Sequence, residues 1–365
     1  MKILFIGDYS NLHATLAVHL KSLGHQVCVV SDKGDYINSD ADIYLKREPG
    51  FGGGFRYLYK LFNLLPTLKD FDIVQFINPN FLSLKPGKIK YFFDHLRNQN
   101  GKTFLTMAGN DYYFCKACLD GKLFRFSEFK VGDKFTDFHN ADPNHLYGWI
   151  NYANRHWNEY FYDKIDGAMS VLPEYDMVAR EIIPDKTVFT NIPINLRSLP
   201  LAQDDLCFNP IKIFIGMRSG MELQKGADKL LKLAKEIEKE LPGKVIVEKV
   251  SDLPLNEFLK KMNSSHIVLD QLYSYSPATT ALFAMAMGKA VGTGAQPEYY
   301  SYLENQDAKP VICLSPFEND IKDKIINLIE NREELQSIGR QSRELVEKYN
   351  DVKIVADKFL KHWQT

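Results

Sequence analysis

Ile211-Lys-Ile-Phe-Ile215-Gly-Met-Arg218-Ser-Gly-Met-Glu-Leu-Gln-Lys225-Gly226 opens the half of the chain whose reading decides the fold. Residues 211–215 are a short β-branched and aromatic run, a glycine-bearing turn follows, and residues 227–241 carry the 3.6-residue apolar spacing of a helix. Residues 244–249 then read as a second strand. Strand, helix and strand at this length make a βαβ unit, and such units build parallel sheets. The alternation continues with a helix at 255–262, a strand at 266–269, a helix at about 277–287 and a strand at 290–291. A shorter strand at 311–314 and helices at about 317–330, 332–348 and 351–363 complete it.

Working outward toward the N-terminus, the same alternation occupies residues 2–190. Residues 2–6 are a strand, 13–23 a helix closed by Gly24, and 26–30 a second strand. Further strands are expected at 71–77, ending in Asn78-Pro79, and at 102–107, ending in Ala108-Gly109-Asn110-Asp111, with a helix at 89–97 between them. Residues 112–160 are an irregular aromatic stretch that leads into a helix at 149–162, and strands follow at 167–172 and 187–190. Residues 195–210 show no period and carry two prolines, so they read as a linker. The expected fold is α/β: two Rossmann-like domains at 1–194 and 211–348, facing across a cleft. A C-terminal helix within 349–365 should pack back on the first domain. Open parallel sheets gather ligands at the carboxyl ends of their strands, so two facing sheets suit transfer between two substrates.

Composition narrows the class. Across 365 residues, 45% are hydrophobic and 25% charged, and 45 bases against 46 acids leave a formal net charge of −1. That balance gives no footprint for nucleic acid. The five cysteines (Cys28, Cys115, Cys118, Cys207 and Cys313) are odd in number and scattered, which argues against a disulfide framework. Cys115-Lys-Ala-Cys118 lacks the second ligand pair of a zinc site, so no metal is expected. The apolar run 3–6 is too short for a signal peptide, and no stretch has the length to span a bilayer. The expectation is a cytoplasmic protein, at most resting on the inner face of a membrane.

Chemistry concentrates at strand ends. Arg218 and Lys225 follow a strand and precede a helix, where both can make charge-assisted hydrogen bonds to a diphosphate. The plainer reading is a solvated basic loop. In Asp270-Gln-Leu-Tyr-Ser-Tyr275-Ser276-Pro277-Ala278-Thr279-Thr280, Ser276 is the expected N-cap and Pro277 the first helical residue. The N–H groups around Ala278, with the hydroxyls of Thr279 and Thr280, would then form an anion site. An ordinary capped core helix reads the same way.

The first half should present the acceptor: Asn11, a candidate acceptor contact, and His13 lie where the first strand meets its helix. His13 is a candidate general base, and Asp111 is its rival, with Asn110 beside it for acceptor binding. Each reads equally as a helix-start or loop-capping residue. Glu174, after the strand at 167–172, is a lesser candidate. The glycine-rich run Pro49 to Phe55 lacks phosphate-loop spacing and reads as a mobile loop gating the acceptor site. The segment from Arg56 to Leu65 is aromatic and basic. It reads first as an amphipathic helix packed on the sheet, and otherwise as a contact to a membrane or lipid-linked acceptor.

Arg218, Lys225-Gly226, Ala284-Met285-Ala286, Gly288-Lys289 and Val291, with a partial match at Gly294 to Glu298, resemble the donor domain of group 1 (family 4-like) GT-B glycosyltransferases. The likeness covers about 211–300. It implies a nucleoside diphosphate sugar as co-substrate with no bound cofactor, and a saccharide or lipid-linked saccharide as acceptor, in surface polysaccharide or glycan assembly. It also implies that Arg218 and Lys225 hold the diphosphate. One departure matters: the family's two glutamates fall at Tyr275 and Phe283. Donor identity and stereochemistry are left open, with Asp270 and Gln271 as substitute polar contacts. A noncatalytic homologue and a nucleotide-sugar epimerase-like enzyme remain as alternatives.

Overall fold

Runs of Ile, Val, Leu and Phe set the first sheet. A computed structural model describes residues 1–32, 41–200, 208–303 and 309–365. In it β1 (Lys2–Ile6), α1 (Leu12–Ser22), β2 (Gln26–Ser31), β3 (Ile43–Tyr44), α2 (Gly53–Leu64), β4 (Ile73–Phe76), α3 (Pro86–Gln99) and β5 (Lys102–Met107) come first. The aromatic stretch resolves into α4 (Tyr112–Asp120), a hairpin of β6 (Lys130–Val131) and β7 (Lys134–Phe135), α5 (Asp137–Ala141), α6 (Pro143–Trp149) and α7 (Tyr152–Lys164). Then follow β8 (Gly167–Ser170), α8 (Pro173–Ile182) and β9 (Thr187–Phe189). Seven strands pair in parallel in the order β3-β2-β1-β4-β5-β8-β9. Every residue of β4 and β8 is buried, as covering both faces of a parallel sheet requires.

A second parallel sheet has the order β11-β10-β12-β13-β14. Its elements run β10 (Ile211–Met217), α9 (Glu222–Lys225), α10 (Ala227–Glu240), β11 (Val245–Ser251), α11 (Leu255–Asn263), β12 (Ile267–Leu269), α12 (Thr279–Ala286), β13 (Ala290–Thr293), α13 (Pro297–Ser301) and β14 (Val311–Cys313). After them come α14 (Ile321–Glu330), α15 (Arg332–Tyr349) and α16 (Val352–Gln364). Leu230, Ala234 and Ile237 of α10 pack into one core with Ile213, Ile215 and Leu269. Strand order reverses between β1 and β4 in the first sheet and between β10 and β12 in the second, which fixes where each should bind ligands.

The chain divides into one unit of Met1–Ala117, Asn144–Pro193 and Val352–Thr365, and another of Cys118–Pro143 and Ile194–Asp351. Helix α16 therefore packs on the first unit, beside α1, as expected of the C-terminal helix. Residues 118–143 differ from the sequence reading, which left them in the first domain. They belong with the second unit: Phe126 stacks on Tyr275 with centroids 4.6 Å apart, and Gln224 donates to Glu128 at 2.8 Å. The tip of the expected linker, 201–207 with Cys207, lies outside the described residues. Cys115 and Cys118 are buried thiols on α4.

Candidate functional site

In the second unit two cations, Arg218 and Lys225, follow β10, one of the two strands that border the switch point. Arg218 directly follows β10 and is exposed. Ser219 beyond it donates its N–H to Asp252, at the end of β11, at 3.2 Å. Lys225 closes α9, and Gly226 then turns the chain into α10 with φ 67°. A Cβ on Gly226 would sit 2.9 Å from Leu272 Cβ, so only glycine gives both the left-handed turn and the close approach. That approach brings the Lys225 carbonyl to accept from Leu272 N at 2.8 Å. It also puts Lys225 Nζ 3.1 Å from Asp270 Oδ1.

Asp270 is 1% exposed and follows β12 directly, across the switch point from Arg218. Its N–H donates to Gly292 O at 2.9 Å. Oδ2 is buried with no partner, and so is Thr293 Oγ1 at the end of neighbouring β13. Buried polar atoms are rarely left unpaired, and two together at adjacent strand ends mark a place where a ligand can complete the hydrogen bonding.

Helix α12 begins at Thr279 with Ala278 as N-cap, a residue with no side-chain acceptor. This corrects the expected start. Ser276 is not the N-cap and Pro277 is not helical, because Ser274 Oγ bonds the Ser276 carbonyl at 2.6 Å and holds 274–276 as a loop. Thr279 and Thr280 lie half-buried in the first turn, and Ala278 offers no capping side chain of its own.

Tyr275 stands where the resembled family carries a glutamate. It is 2% exposed, and its phenol oxygen accepts from the N–H groups of Arg125 at 2.6 Å and Phe126 at 3.3 Å. Arg125 in turn donates to Gln296 at 3.1 Å and pairs with Glu298 at 3.0 Å. Gly294 allows this loop to sit close, since a Cβ there would meet Ser274 O at 2.0 Å. Sequence reasoning missed Arg125, Gln296 and Thr293. Nothing local in 118–143 signals that the segment docks on the second unit.

The first unit corrects both candidate bases. His13 is fully buried. Its Nδ1 lies 2.7 Å from the Gly7 carbonyl, which can only accept, so Nδ1 carries the proton. Nε2 must then accept from Thr106 Oγ1 at 2.8 Å, and Thr106 accepts from Gln75 Nε2 at 2.9 Å. Gln75 Oε1 accepts from Trp363 Nε1 at 2.8 Å. The chain of bonds runs one way from α16 to the end of β1, and burial pulls the imidazole pKa down to about 3. With both nitrogens taken and no exposed atom, His13 is a structural residue and not a general base.

Asp111 is buried as well, accepting from Phe114 N at 2.8 Å and from the Tyr162 hydroxyl at 2.6 Å. Burial raises its pKa, with the bonds from Phe114 and Tyr162 pulling the other way. It caps the start of α4, so the loop-cap reading holds over the catalytic one. Asn11 stands half-buried at the N-cap position of α1 with φ 58°, but its side chain makes no cap bond. Asp8 takes that part, accepting from His13 N at 3.0 Å. Asn110 is half-buried, and its carbonyl accepts from Asn78 Nδ2 at 3.2 Å. Glu174 lies buried in the first turn of α8.

Two parallel-sheet units of this construction define the GT-B fold of glycosyltransferases. Three solved structures show it across the whole chain. Sucrose-phosphate synthase from Thermosynechococcus elongatus is 13% identical, with a TM-score of 0.64 over 100% of this chain and 98% of that one. HepE from Anabaena, in complex with UDP and glucose, is 10% identical, with a TM-score of 0.65 over 99% and 98%. The catalytic domain of starch synthase IV from Arabidopsis thaliana, bound to ADP and acarbose, is 11% identical, with a TM-score of 0.60 over 100% and 98%. No family profile matches the sequence, and no curated protein does.

Proposed function

We propose that this protein transfers a glycosyl group from a nucleoside diphosphate sugar to a hydroxyl of a saccharide or lipid-linked saccharide. The reading rests chiefly on the Lys225–Asp270 pair at the switch point of the second sheet, with the start of α12, whose N-cap is Ala278, on the loop that follows Asp270. Arg218, Lys225 and the N–H groups of Ala278, Thr279 and Thr280 supply positive charge where a diphosphate leaves. Preorganised charge at a developing anion is the largest catalytic term in such sites. These cations take the place of a metal in neutralising the diphosphate. Asp270 Oδ2 and Thr293 Oγ1 are left to receive sugar or ribose hydroxyls. A role in glycan assembly at the cytoplasmic side fits this chemistry, and among the described residues no helix is long and apolar enough to cross a membrane.

A second reading, a binding protein without turnover, is favoured by one observation. Neither His13 nor Asp111 is placed to accept a proton from an acceptor. Thermal shift with a panel of nucleotide sugars and free diphosphates, repeated on Lys225→Ala, tests the site. One nucleotide series should raise the melting temperature of the wild type, with the shift lost in the variant. No shift by any nucleotide would remove the donor site. Release of nucleoside diphosphate by the wild type, unchanged by a chelator, separates the enzyme from the binding protein.

A further inference from the structure

The aromatic segment after the glycine run does two jobs. On α2, Gly53, Tyr57 and Leu61 are buried, and Tyr57 donates to Asp32 at 2.8 Å. At 100° per residue, Phe55, Tyr59 and Phe62 point the opposite way. They are exposed, Phe55 at 82% and Tyr59 at 70%. Phe62 extends the surface onto α3, with its ring 5.7 Å from that of exposed Tyr91, and Phe51 stands wholly exposed at the turn before α2. The glycine run is therefore the turn that launches this helix, with Gly52 at its N-cap, where a gating loop had been expected.

Charge tells what covers this face. Arg56 and Lys60 lie one position beyond Phe55 and Tyr59 on the flank of the stripe, both exposed. Arg47 reaches the same end, since a Cβ on Gly54 would lie 3.6 Å from its Nη2. Residues 44–69 hold five bases and one acid, in a chain whose net charge is −1. Aromatic side chains flanked by cations match the boundary between headgroups and acyl chains of an anionic bilayer. A second copy of this chain would bring like charges together at the same face.

We propose that the outer face of α2, continued by Tyr91, is a docking surface for an anionic membrane. Phe55 and Tyr59 enter the headgroup region while Arg56 and Lys60 meet lipid phosphates. The surface is independent of the donor site.

The test is co-sedimentation of the full chain with vesicles of phosphatidylcholine alone and of phosphatidylcholine mixed with phosphatidylglycerol. The wild type should bind the mixed vesicles and not the neutral ones. Arg56→Ala/Lys60→Ala should weaken that binding about ten- to thirtyfold, and Phe55→Ser/Tyr59→Ser should abolish it. All four residues are exposed, so unchanged melting temperatures will show that the variants fold. Failure of the wild type to bind, equal binding to both vesicles, or full binding by either variant overturns the proposal. A wild-type dimer that dissociates in Phe55→Ser/Tyr59→Ser, without vesicle binding, overturns it in favour of self-association.

Discussion

His13 carries the clearest lesson at the scale of one residue. A histidine at the join of a strand and a helix reads as catalytic or structural from sequence alike, and the structure decides through what lies against each nitrogen. The Gly7 carbonyl fixes one proton, and every later bond to Trp363 follows from it. The consequence for stability has a definite sign. The folded pKa, about 3, lies below the ordinary 6.5. The stabilisation is therefore complete above 6.5 and is lost as pH falls from there toward 3, approaching about 1.4 kcal/mol per pH unit. Urea unfolding at pH 6.5 and pH 5 should show the wild type losing about 1.5–2 kcal/mol more than His13→Gln. An equal loss in both would mean that His13 takes up its proton in the folded state.

At the scale of the element, the two helix starts near the switch points are opposites. Asp8 fills the N-terminus of α1, whereas the N-cap of α12 is Ala278, which has no side-chain acceptor of its own. A capping carboxylate stabilises a helix by about 1 kcal/mol. A protein that has Ala at this position forgoes that stabilisation. Ala278→Asp should thus raise the melting temperature of the ligand-free protein while weakening binding of free nucleoside diphosphate at least about tenfold, since a charge then sits where the diphosphate should. Calorimetric titration checks the second part. Stronger or unchanged binding would show that α12 does not face the anion.

For the whole molecule, two segments do not stay with their neighbours in sequence. Residues 118–143 leave the first unit for the second, and α16 returns from the second to the first. Trp363 is 2% exposed and holds Gln75 across β4, so it stabilises strands nearly 300 residues earlier in the chain. Trp363→Ala should cost about 3–5 kcal/mol. Hydrogen exchange should show protection falling in β1, β4 and β5 while β10, β12 and β13 keep theirs. Uniform loss over both sets would mean that the units unfold together.

The sequence by itself determined the βα alternation, the two parallel sheets, and the strand ends at which Arg218 and Asp270 stand, with Lys225 in the turn before α10. Periodicity and turn chemistry act within a dozen residues, and those features are local. The amphipathic pattern of α16 also required that it cover some apolar face, and the tertiary structure puts that face on the first unit. Only the tertiary structure decided that His13 and Asp111 are sealed, that Tyr275 receives the backbone of Arg125, and that α2 turns its aromatic side outward. Each of those depends on which atoms of distant segments meet. Burial and hydrogen-bond partners are properties of the packed chain, and no spacing within one segment encodes them.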